Sequence, residues 1–179
     1  MMSTNQHPNK ILIAIDDSHT TEHAIHHVAQ KIDQNAHTQI ILLHVAGPIP
    51  PKLLEFGGSE DPVEEEQREA QLETAQALWL EQVEHAAQPI FKRAESILAA
   101  AHIPAQAIET RTEPLLPGQD LATVIRDAAQ EHACDTVVVG RSSFSWWQAL
   151  SQKHVADTLG HDHRGFALWV VEDDDKPSL

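Results

Sequence analysis

The sequence predicts an α/β fold, one parallel sheet with helices on both of its faces. Runs rich in Ile, Val and Leu at 10–16, 39–45, 136–139 and 166–171 are apolar at consecutive positions, as strands buried on both faces are. The stretches between them repeat apolar residues at the 3, 4 and 7 spacings of a helix face. The order that results, β-α-β-α-β-α-β-α-β, belongs to parallel strands joined by right-handed crossovers.

Each element has its own signal. Lys10 to Asp16, KILIAID, is the first strand, and Asp17-Ser18 supplies a helix N-cap ahead of the apolar face Ile25, Val28, Ala29 and Ile32. Gln39 to Val45, QIILLHV, is a second buried strand. Ala46 to Asp61 holds Pro48, Pro50, Pro51, Gly57 and Gly58 and reads as a loop, part of an insertion over 46–66. A long helical stretch follows from Pro62 to Ala101, with Leu72, Ala75, Trp79, Val83 and Ala86 as one apolar stripe. Pro89 is expected to kink that helix or restart it. Ala105 to Arg111 is a weaker, alternating strand, and 112–119, with Pro114, Pro117 and Gly118, a loop. Leu121, Val124, Ile125 and Ala128 mark a third helix, and Thr136 to Val139 a buried strand ending at Gly140. Trp147 to Leu159 is expected to be helical, and Phe166 to Val171 is the last strand. A single domain over 10–172 is expected, between a flexible 1–9 segment and an acidic 173–179 tail.

Composition narrows the function classes. Twelve Lys+Arg against 27 Asp+Glu give −15, which repels nucleic-acid backbones and anionic membranes. Full protonation of the thirteen histidines would bring that charge from −15 to −2, so net charge is sensitive to pH near 6.5. There is no run of 18 apolar residues, and MMSTNQHPNK has no apolar secretion core. With Cys134 as the one cysteine, these features lead to the expectation of a cytoplasmic protein without disulfides. No nucleophile elbow, phosphate-binding P-loop or HExxH pattern occurs, and no nucleophile–base arrangement supports an enzyme.

In such sheets ligands bind beyond the carboxyl ends of the strands, where the strand order reverses. Two strand ends therefore matter: Asp16-Asp17-Ser18 and Gly140-Arg141-Ser142-Ser143. A carboxylate can accept from a ribose or an adenine edge, and a small-residue turn can offer N–H groups to phosphate. Adjacent Asp16 and Asp17 are also candidates to hold Mg²⁺ beside a nucleotide, with helix capping as their simpler role.

ILIAIDDS, ILLHV, DTVVVGRSS and FALWVV, in that order and spacing, make the chain resemble the universal stress protein family, A-type, over nearly its whole length. The resemblance implies a flavodoxin-like, five-stranded parallel sheet of order 3-2-1-4-5. It also implies a homodimer paired through the last strand, Phe166 to Val171. Many members bind ATP through Gly-x2-Gly-x9-Gly-Ser/Thr, an acidic residue after the first strand and a backbone group after the second. Here those positions are Gly140, Ser143, Lys153 and His154, with Asp16 and Val45. One of the three glycines is present, so ordinary ATP binding is expected to be weakened or lost. Arg141 and Lys153, with Ser142, His154 and Val155, are the candidates for an altered phosphate site that would take ATP, with Mg²⁺, as a switch. The favoured expectation is a stress-response dimer working by regulatory binding to an unknown protein partner, with no required cofactor.

Other residues have blander readings. His19, His23 and His27 share a helix face at metal-binding spacing, but solvent exposure is the expected role. His161 and His163 read as turn residues and Cys134 as a structural thiol. Of Trp146 and Trp147, one is expected to pack on the sheet and the other to mark an interface.

Overall fold

The structure, a computed structural model, describes residues 9–32, 37–54, 58, 61–141, 159 and 165–172. Five strands form one sheet: β1 (Asn9–Ile15), β2 (Thr38–Pro48), β3 (Ile108–Leu115), β4 (Thr136–Gly140) and β5 (Ala167–Val171). Their order is β3-β2-β1-β4-β5 and every neighbouring pair is parallel. Among the described residues the α-helices are α1 (His19–Lys31), α2 (Pro62–Ala100) and α3 (Leu121–Glu131).

Alternation along the strands sorts the core into two halves. Leu12, Ala14, Leu43, Val137 and Val139 face α3 with its Leu121, Val124 and Ile125. Ile11, Ile13, Ile15, Leu42 and Val138 face α1 and the second half of α2. Residues 11–15 and 136–140 are buried at every position, which is why those strands are apolar throughout.

Several expectations about element ends are corrected. β2 runs on through Ala46 and Gly47 to Pro48, which shortens the expected loop at its start, whereas α2 begins at Pro62 as expected. Ala105–Ala107 is a 3₁₀ turn, and β3 starts at Ile108 and continues through Pro114 to Leu115. Proline is tolerated there because β3 is an edge strand and the ladder bulges. Val45 pairs with Glu113 and Pro48 with Leu115, so two residues of β2 oppose Pro114. The last strand starts at Ala167, with Phe166 buried just before it. α2 does not restart at Pro89, whose exposed position lets solvent serve the carbonyl that it cannot. The stripe from Leu72 to Val83 is only half-buried and Ala86 is exposed. Full burial in α2 begins at Ala87 and continues with Phe91, Ala94 and Leu98. The helix expected over 147–159 lies outside the described residues apart from Leu159, which is buried, and so do the terminal segments apart from Asn9, which opens β1.

Candidate nucleotide-binding edge

The strand order reverses between β1 and β4, since β1 is followed by β2 on one flank and β4 by β5 on the other. Ile15 pairs with His44 and Ile13 with Val138. Counting on along these parallel registers, Asp16 is level with Val45 on one side and Arg141 on the other. Four of the sequence candidates, Asp16, Val45, Gly140 and Arg141, therefore share the carboxyl edge of the sheet. Ser142, Ser143, Lys153, His154 and Val155 lie outside the described residues, as do Trp146, Trp147, His161 and His163.

Asp16 is 7% exposed and builds the turn into α1. Its Oδ1 accepts from the Ser18 and Thr21 hydroxyls, both at 2.5 Å, and from the Ser18 N–H at 3.2 Å. Its own N–H donates to Thr21 Oγ1 at 3.1 Å. Ser18 in turn caps α1 by accepting the Thr21 N–H. The cap predicted at Asp17-Ser18 is thus Ser18, and Asp17 turns outward to Arg93 of α2 at 2.8 Å. The two carboxylates are engaged by different partners, one inside the turn and one across to a helix.

His44 is a site residue that sequence reading passed over. Its Nδ1–H donates to the Ile15 carbonyl at 3.2 Å, and its ring meets Phe91 of α2 edge-on at 6.4 Å. Burial lowers its pKa, opposed by that hydrogen bond and by the charge of Asp16. The available signal was a titratable residue on the core-facing phase of QIILLHV.

At the far side of the reversal, Arg141 N–H continues the ladder by donating to the Val171 carbonyl at 2.8 Å. Its guanidinium Nε contacts Glu172 Oε1 at 2.6 Å, with both side chains more than half exposed.

The remaining candidates separate. His19 and His23 stand 6.5 Å apart between ring centroids, whereas His27 packs edge-on against Trp169 of β5 at 6.1 Å. Among the described residues no group of three His, Cys, Asp or Glu side chains is placed to hold a metal ion. Cys134 is buried, and desolvation is the main cause that pushes its thiol up to about 11.

A five-stranded parallel sheet of order β3-β2-β1-β4-β5, with helices packed on both of its faces, defines a doubly wound α/β protein. The family model described as the universal stress protein family matches residues 8–160. The chain belongs to the universal stress protein family. Among solved structures it is similar to a universal stress protein from Lactobacillus plantarum, at 17% identity over 93% of this chain and 99% of that one, with a TM-score of 0.58. It is likewise similar to a universal stress protein in complex with cAMP (15% identity, 91% and 95% covered, TM-score 0.53). A third similar structure is that from Archaeoglobus fulgidus in complex with dAMP (15%, 91% and 97%, TM-score 0.51). At such identities the likeness shows the fold. No curated protein sequence matches the chain significantly. No described helix is long and apolar enough to cross a membrane.

Proposed function

We propose that this chain is a nucleotide-responsive regulatory protein. On this reading it binds a lightly phosphorylated adenine nucleotide at the carboxyl edge and acts through a dimer rather than by turnover. The observation that carries this is the single row formed by Asp16, Val45 and Gly140–Arg141 where strand order reverses. The bulge that follows Val45 takes Ala46 and Gly47 out of regular pairing, which suits backbone contacts to a base. Arg141 suits a phosphate. A triphosphate with Mg²⁺ fits less well. Asp16 and Asp17 are engaged separately. Ser143, Lys153 and His154 replace the small residues of the phosphate fingerprint. The cAMP and dAMP complexes of relatives support the choice of ligand class.

The test is calorimetric titration with dAMP and with Mg-ATP, for the wild type and for a Ser143→Gly, Lys153→Gly, His154→Ser variant. The expected result is dAMP binding by the wild type, with Mg-ATP binding weak or absent and recovered in the variant. Micromolar Mg-ATP binding by the wild type would instead support an ATP switch that uses Arg141 and Lys153.

A further inference from the structure

Resting on that reading, we infer that Glu172 is a specificity-determining residue of the same edge: its carboxylate, paired with Arg141, disfavours polyphosphates and leaves singly phosphorylated ligands preferred. The pair is set by the backbone. β4 and β5 are in register from Thr136 opposite Ala167 to Gly140 opposite Val171, and the Arg141 N–H extends that ladder to the Val171 carbonyl at 2.8 Å. Arg141 and Glu172 are therefore the next residues along two neighbouring parallel strands, and their side chains meet at 2.6 Å.

The chemistry follows from the fork of the guanidinium. A phosphate bound in bidentate fashion needs two parallel N–H donors on one side of the group. Glu172 holds Nε, so the side formed by Nε and its neighbouring Nη is already taken by a carboxylate. A phosphate that approaches Arg141 meets a cation whose charge is balanced and an anion in contact with it. Each further phosphate charge adds repulsion from Glu172, so the penalty grows from a monophosphate to a di- or triphosphate. Both side chains are more than half exposed, which keeps the effect modest. A pair of this kind changes affinity by up to about fivefold.

The experiment titrates dAMP, ATP and inorganic pyrophosphate into the wild type, Glu172→Gln, Arg141→Gln and Glu131→Gln at low salt. Glu131 is an exposed residue at the end of α3, toward the amino end of the sheet, and its variant removes the same charge elsewhere. The expected result is that Glu172→Gln tightens pyrophosphate and ATP by about three- to fivefold and dAMP by less. Arg141→Gln abolishes the gain when combined with it, and Glu131→Gln has no such effect. Equal dAMP, ATP and pyrophosphate affinities in the wild type and Glu172→Gln overturn the inference while leaving nucleotide binding in place. A pyrophosphate gain without any dAMP binding overturns the nucleotide reading and upholds the role of Glu172. An equal gain in Glu131→Gln reduces the effect to net charge and overturns it, as does the absence of binding by every protein.

Discussion

Three donors from its own turn hold one oxygen of the Asp16 carboxylate, so this residue first closes the path from β1 into α1. Sequence could supply the acidic side chain at the strand end. It could not say that Ser18 and Thr21 would aim their hydroxyls at it. His44, one strand over, shows the same dependence on neighbours. Its imidazole is fixed by the Ile15 carbonyl and half-buried against Phe91. Because burial lowers its pKa, the native state takes up its proton at lower pH than the unfolded chain, whose value is 6.5. Between those two values the unfolded state binds more protons, so stability is full above pH 6.5 and falls as pH drops toward the native value. NMR titration should find the His44 pKa below 6.5, and His44→Gln should flatten the acid limb of urea stability measured from pH 7 to pH 5. An unchanged limb would mean that His44 does not titrate differently in the two states.

At the scale of elements, two helix ends share a cap whose form the sequence did not announce. α2 ends with His102 at φ 63°, its N–H donating to the Ala99 carbonyl and that of Ile103 to Leu98. α3 ends with Ala133 at φ 51°, its N–H donating to Gln130 and that of Cys134 to Ala129. Both are Schellman caps closed by a buried residue, Ile103 and Cys134, and neither uses the glycine that would have announced it. Buried Cys134 thus acts as the apolar anchor of a cap. Left-handed backbone costs a non-glycine residue about 1–2 kcal/mol, offset in part by the entropy of glycine in the unfolded chain. His102→Gly and Ala133→Gly should each stabilise the protein by about 0.5–1 kcal/mol in urea unfolding. Destabilisation would show that the original side chains contribute more than the backbone strain costs. Pro114 misled in the opposite direction, since a proline that suggested a loop sits inside an edge strand at a bulge.

For the whole molecule, the sheet has two unlike edges. β3 is exposed at Glu109, Thr110 and Arg111 and only half-buried at Thr112, Glu113 and Pro114, and its charged Glu109, Arg111 and Glu113 blunt that edge against further pairing. β5 offers half-buried Leu168, Trp169, Val170 and Val171, an apolar edge that wants a cover. A twofold partner along β5 is the cover we propose, consistent with the isologous contacts of homodimers. Light scattering on the full chain should give the mass of a dimer, and Val170→Asp should shift it toward the monomer with the far-UV circular dichroism retained. A wild-type monomer at micromolar concentration would exclude pairing through this edge. The first half of α2 adds a second apolar surface. Leu78 and Leu80 are exposed there, and the groove of about 570 Å³ that it forms with the Pro51–Leu53 turn has Leu53, Leu72 and Trp79 in its lining.

The sequence by itself determined the sheet class, the order of the described strands and helices and the two strand ends that face each other across the reversal. Those are consequences of local periodicity and of strands buried on both faces, which mark themselves in the order of residues. The tertiary structure alone decided which polar groups pair. Asp16 answers to Thr21, Asp17 to Arg93 of α2, His44 to Ile15, and Arg141 to Glu172. It also decided that α2 is buried from Ala87 onward and not along its earlier stripe. A helix's own repeat shows which residues share a face, but burial depends on whether the sheet extends far enough to meet that face.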